Sequence, residues 1–127
     1  MAGFWKPVFG LATLFNFAVG LPMLVAPEAL LPAIGQPVPD DLLMTRLAAL
    51  LIVVLGVGYG MVWRDPVANR PILWLGVLGK APIPLLVWQA SGAAALASST
   101  FILSLGDLAF AALFLVYLLT HKVRPAA

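Results

Sequence analysis

The chain has no cysteine and one histidine, His121, among its 127 residues. Without thiols there is no disulfide, no thiolate metal site, no iron–sulfur cluster and no cysteine nucleophile. A single histidine rules out a bis-histidine haem held by one chain. No serine has a histidine with which to form a triad inside the membrane. Charge is scarce as well. Only 9% of the residues are Asp, Glu, Lys or Arg, against about 25% in an ordinary soluble domain. So little polar surface cannot cover a water-soluble globule. The common chemical motifs are also missing: no HExxH, no carboxylates paired at catalytic spacing and no Gly-Lys-Ser/Thr phosphate loop, since Gly79-Lys80 lies within an apolar run. No catalytic residue and no metal site is expected.

What the chain has is apolar bulk. It is 63% hydrophobic, with a mean hydropathy of +1.08. Bilayer is the solvent that fits such a composition. The net charge of +2 does not point to nucleic acid, because the basic residues are scattered over several segments and form no stripe. Four apolar stretches stand out, at about 8–26, 42–63, 71–90 and 95–119. Each is near the ~20 residues needed to cross the hydrocarbon core. Strand-like alternation is absent, and backbone groups in lipid must be satisfied internally, so the stretches read as helices. The expectation is one all-α domain, an integral membrane four-helix bundle joined by short connections. The first stretch ends Val25-Ala26-Pro27 without a small-x-small cleavage site, and it reads as a retained span rather than a signal peptide.

The punctuation agrees with four helices. Asp40 and Asp41 stand where the second span begins and suit its positive end. Arg64-Asp65-Pro66 ends that span, and Pro71 suits the first turn of the third. Pro27 to Gly35 is apolar but too short to cross, which predicts a short helix in the interface. It either covers the top of the bundle or gates ligand entry. Trp5, Trp63, Trp88 and Tyr117 fall near span ends as an aromatic belt, and no ligand is assigned to them. His121, at the edge, reads as a solvated interfacial histidine.

Orientation follows from basic residues outside the apolar runs. Lys6, Arg64, Arg70, Lys122 and Arg124 all fall on one side of a four-span path, and the first and third connections carry none. This predicts both termini and the middle connection in the cytoplasm.

The informative residues are the polar ones inside the spans: Asn16, Arg46, Lys80 and Asp107, one per span. An ionisable group at the centre of a membrane helix costs at least about 2.5–3.5 kcal/mol on insertion scales and normally faces a bundle interior, a cavity or a partner. At ~1.5 Å per residue, Asn16, Lys80 and Asp107 sit on the order of 15 Å inside their spans, near the midplane. Arg46 and Gln89 fall nearer the far end, where the long Arg46 side chain can snorkel outward or bend inward. Helical phase groups these residues with small ones. Thr100, Ser104, Asp107 and Ala111 share one stripe; Gly10, Thr13, Asn16 and Gly20 share another; Arg46, Ala49, Val53, Gly56 and Gly60 share a third. Tyr59 lies on the side of Gly56 and Gly60, where its hydroxyl can find an internal partner. Gly56-x-x-x-Gly60 marks a close helix contact, within the chain or between copies. Pro82 and Pro84 follow Lys80 and either kink the span to open a cavity or are absorbed by packing.

Lys80 and Asp107 have two readings, both open at this level. They form a buried ion pair that fixes helix register, or they floor a ligand pocket or proton site. The first supplies little net stability. Asn16, Arg46, Lys80 and Asp107 are the candidate cluster, with Tyr59, Gln89 and Ser104 secondary.

With the spans placed, the chain resembles the small four-span bacterial membrane proteins grouped as DoxX-like. The likeness rests on Asn16 and small residues in the first span with Pro27 beyond it, Arg46, Gly58-Tyr59, Arg64-Asp65-Pro66, Asn69-Arg70-Pro71, Gly79-Lys80 and Gly106-Asp107. It covers most of the chain through diffuse motifs. The resemblance implies a compact inner-membrane bundle of a group in which some members look like accessory subunits of membrane oxidoreductases. No catalytic residue carries over. The leading expectation is a non-catalytic protein that binds a small amphiphile, a lipid or a quinone, or serves as accessory subunit of a larger complex or homo-oligomer. The runner-up is a small oligomeric transporter using Lys80 and Asp107 for proton coupling, and a membrane enzyme comes third. No resident cofactor is expected beyond such a lipid or quinone.

Overall fold

A computed structural model describes residues 2–122; Arg124, counted above among the flanking charges, lies outside them. The described residues form helices α1 (Ala2–Val25), α2 (Pro27–Ala33), α3 (Leu43–Arg64), α4 (Arg70–Lys80) and α5 (Ile83–Ser91), a 3-10 helix (Gly92–Ala97), and α6 (Ser99–Thr120), with no strand among them. Four segments are long and apolar enough to span a bilayer: Gly3–Val25, Leu43–Arg64, Arg70–Ala97 and Ser99–Thr120. The chain is thus an all-α bundle of four membrane-spanning segments. Large apolar side chains on the outer faces, among them Leu14, Leu51, Leu78, Leu86, Ile102 and Leu119, are exposed, as a lipid solvent requires.

The bundle is built from two tight pairs. α1 packs along α3, and α4 and α5 pack along α6, while contacts between the pairs are sparser. Glycines set the closeness of the first pair. A Cβ on Gly20 would stand 2.8 Å from the Val53 side chain, and one on Gly56 would stand 2.9 Å from the Phe17 ring. Gly60 faces Thr13, so the Gly56-x-x-x-Gly60 stripe is occupied within the chain. In the second pair, a Cβ on Gly76 would stand 2.9 Å from both the Phe114 ring and the Tyr59 hydroxyl.

The third span differs from the uninterrupted helix expected over 71–90. It begins at Arg70, breaks after Lys80, resumes at Ile83 and continues as the 3-10 helix to Ala97. Pro82 and Pro84 lack the N–H groups that would bond the carbonyls of Leu78 and Lys80 in a continuous helix, and the turn falls there. α6 accordingly starts at Ser99 rather than at 95. The Ser98 hydroxyl caps it by accepting from the Phe101 N–H at 3.4 Å. Proline is not disruptive everywhere: α1 runs through Pro22 to Val25.

At one end of the bundle, α2 forms where the short apolar segment was expected. Gln36, just after it, donates to the Thr100 hydroxyl at 2.7 Å, which ties the segment to the start of α6. The Asp41 carboxylate accepts from the Leu43 N–H at 2.9 Å and starts α3. At the other end, Arg70 donates to the carbonyls of Leu118 and His121. Those are orphan acceptors at the C-terminus of α6, and a guanidinium there also suits the helix dipole. A hydrophobic core of Trp5, Phe9, Tyr59, Leu73, Phe114 and Tyr117 fills this half of the bundle. Trp5 and Tyr117, read from sequence as belt residues, are buried members of that core.

Candidate functional site

Mid-bundle, three polar side chains from three spans meet. The Lys80 ammonium donates to the Asp107 Oδ1 at 2.6 Å and to the Asn16 Oδ1 at 2.8 Å. Asn16 in turn donates through Nδ2 to the Ile52 carbonyl of α3 at 3.0 Å. Lys80 and Asp107 belong to one helix pair and Asn16 to the other, so the ammonium ties the two pairs together. The Lys80 side chain is 5% exposed and that of Asp107 17%. A charge so far from water needs partners, and Lys80 has further ones. Its Nζ stands 5.1 Å from the ring centre of Phe15, 5.4 Å from that of Tyr59 and 5.7 Å from that of Phe110. Ring faces attract a cation most where water is excluded.

Local sequence explains why these groups converge. Asn16 sits against Gly56, whose missing Cβ leaves room for the Asn16 Cβ, 3.1 Å from where it would stand. Lys80 is the last residue of α4, so the proline break directly follows it. Phe110 lies three residues after Asp107 and shares its face.

A cavity of about 150 Å³ opens beside the triad. Asn16, Lys80 and Asp107 supply its polar wall, and Phe15, Val19, Leu55, Ile83 and Leu103 are among its apolar lining. Gly79 at its edge is exposed, and the α4–α5 break borders it. Hydrogen-bonding positions of the triad are left over, the second Asn16 Nδ2–H among them. An ammonium has three donors, of which Asn16 and Asp107 take two. The second carboxylate oxygen of Asp107 has no hydrogen-bond partner among the described residues. Tyr59 lines the cavity, and its buried hydroxyl, close against Gly76, has no partner among the described residues.

The other sequence candidates stand apart from this cavity. Arg46 is at the far end of the bundle, 3.6 Å from Glu28 of α2, and both side chains are about half exposed, at 47% and 57%. Its long side chain follows the outward alternative. Gln89 is exposed on α5. Ser104 is buried but donates within its own helix, to the Phe101 carbonyl at 2.6 Å. Sequence reasoning passed over the aromatic cage of Phe15 and Phe110. The available signal was spacing: Phe15 adjoins Asn16, and Phe110 follows Asp107 by one turn. Among the described residues, no group of His, Asp and Glu side chains could hold a metal ion.

No protein-family model, no curated protein and no solved structure matches this chain.

Proposed function

We propose that the protein binds the head group of a small neutral amphiphile in the mid-bundle cavity, acting alone or as the accessory subunit of a larger membrane complex. The observation that carries this reading is the cavity itself, apolar apart from the triad and the Tyr59 hydroxyl, with donors of the triad and one carboxylate oxygen left unbonded among the described residues. A space of about 150 Å³ accepts one six-membered ring. Lys80 and Asp107 already balance each other, so a charged head group would enter a low-dielectric site without a counter-charge. A ring bearing carbonyl or hydroxyl groups, as in a quinone, meets those donors and that oxygen without that cost. Its tail would leave past the Gly79 edge toward lipid. Proton-coupled transport has weaker support, because the carboxylate it needs is held by an ammonium at 2.6 Å and the connections are too short for rocking halves.

The test is thermal melting of detergent-purified protein with a short-tailed benzoquinone as probe. The expected result is a rise in melting temperature that Val19→Phe, which puts a ring into the cavity, abolishes and Arg46→Gln leaves intact. A rise that survives Val19→Phe sinks the assignment to this cavity. Proton flux in liposomes that disappears in Asp107→Asn would replace the binder by the transporter.

On the sequence resemblance and the charge distribution, we also propose a bacterial inner-membrane protein of the DoxX-like kind with its termini cytoplasmic. Lys6, Arg64, Arg70 and Lys122 support that orientation, since Arg46 and Lys80 are the only other basic residues among those described and the first and third connections carry none. A reporter active only in the cytoplasm is expected to work when inserted near Asn69 and to be silent after Gly35. The opposite pattern would invert the orientation.

A further inference from the structure

A second cavity, of about 280 Å³, lies at the other end of the core, between the start of α1 and the ends of α3 and α6. Its walls are Trp5, Trp63 and Tyr117, and its rim carries Lys6, Arg64 and His121. From this we infer that it is a binding site for the head group of an anionic phospholipid. Three observations converge on that ligand, and none of them involves the mid-bundle site.

The first is charge. Among the described residues neither Lys6 nor Arg64 pairs with a carboxylate, the two salt bridges present being Arg46–Glu28 and Lys80–Asp107. Among the described residues, Arg70 is the other arginine at this end, and it donates to the α6 carbonyls. The Lys6 ammonium rests 5.8 Å from the Trp63 ring centre, which holds it beside the cavity without neutralising it. The second observation is shape. His121 stacks on Tyr117 with ring centres 4.4 Å apart and a 12° interplanar angle, and Trp5 meets both rings edge-on. These packed rings line one side of the pocket. The third is depth. The cavity sits at the ends of three membrane-spanning segments, at the level where tryptophan, tyrosine and basic residues meet lipid head groups. A phosphate there is reached by Lys6 and Arg64, while its acyl chains run down the exposed faces of α1 and α3.

The experiment is native mass spectrometry of the detergent-purified full chain with added phosphatidylglycerol or phosphatidylcholine. Phosphatidylglycerol is expected to bind at least tenfold more tightly. Each basic residue near a membrane surface is worth about fivefold in affinity for anionic lipid. Lys6→Gln and Arg64→Gln are therefore expected to weaken binding about fivefold each, and the double variant about 25-fold. The double variant Lys6→Arg with Arg64→Lys keeps both charges and retains binding. Lys122→Gln removes a charge at the same end but outside the cavity and leaves binding unchanged. Equal binding of the two lipids overturns the inference. So does a loss in Lys122→Gln as large as in Arg64→Gln, which would mean diffuse attraction to the whole basic end. Competition by millimolar inorganic phosphate would overturn the lipid assignment in favour of a free-anion site.

Discussion

Among its described residues the protein holds two ion pairs, each a basic side chain with a carboxylate, in opposite settings. Lys80 and Asp107 meet at 2.6 Å with side chains 5% and 17% exposed, while Arg46 and Glu28 stand 3.6 Å apart at 47% and 57% exposed. The inner pair cannot fall back on water. Losing one partner strands the other, and the surrounding rings and Asn16 are arranged around the charge. The outer pair loses little if it opens, because each group is already half solvated. Depth, more than the identity of the partners, decides what a charge pair is worth here.

The largest expected effect tests that difference directly. Lys80→Met or Asp107→Leu leaves an uncompensated buried charge and is expected to cost about 3–5 kcal/mol, read as thermal melting in detergent. The double variant is expected to lose less than the sum of the singles, because it removes the stranded charge as well as the pair. Strictly additive losses would show that the two groups do not depend on each other. Asn16→Leu removes one acceptor from Lys80 but leaves the carboxylate, and about 1–3 kcal/mol is expected. A loss from Asn16→Leu as large as that from Asp107→Leu would place the main support of the ammonium on the amide.

The contrast also bears on what the sequence could reveal. Lys80 and Asp107 were legible as a pair because their charges oppose, their depths match and their helices are consecutive in the chain. Asn16 was legible by depth and by its stripe of small residues. Arg46 had the same signals in weaker form, an ionisable residue in phase with Ala49, Val53, Gly56 and Gly60, yet it turns the other way. The reason is geometric. It lies one turn inside α3, its side chain reaches past the helix end, and α2 brings Glu28 there to meet it. Helical phase alone cannot tell a residue that points inward from one that leaves along the axis.

Backbone breaks were legible in part. Pro82 and Pro84 marked the interruption of the third span. The continuation through the 3-10 helix to Ala97 was not, because Ser91-Gly92 has the composition of a turn that ends a span. Gly92 does adopt a positive φ of 56°. The chain then winds on for about two 3-10 turns instead of reversing, and buries Ala95. The cavity at the basic end was invisible for a different reason. Its residues come from three helices far apart in sequence, and each alone reads as an ordinary membrane-flanking aromatic or cation.

The smallest expected effect belongs to the outer pair. Arg46→Gln and Glu28→Gln are each expected to change stability by about 0–1 kcal/mol, less as salt is raised, since solvent already screens both groups. The double variant is expected to match the larger single within error. What the pair does is link α2 to the first turn of α3, while the Gln36–Thr100 bond ties the same segment to α6. Removing it should therefore show in local motion before it shows in melting. Hydrogen exchange of the α2 amides is expected to quicken in Arg46→Gln, with exchange at Lys80 unchanged. A melting loss in Arg46→Gln comparable to that of Lys80→Met would erase the distinction, because a half-exposed pair would then be carrying the energetic burden of a buried one.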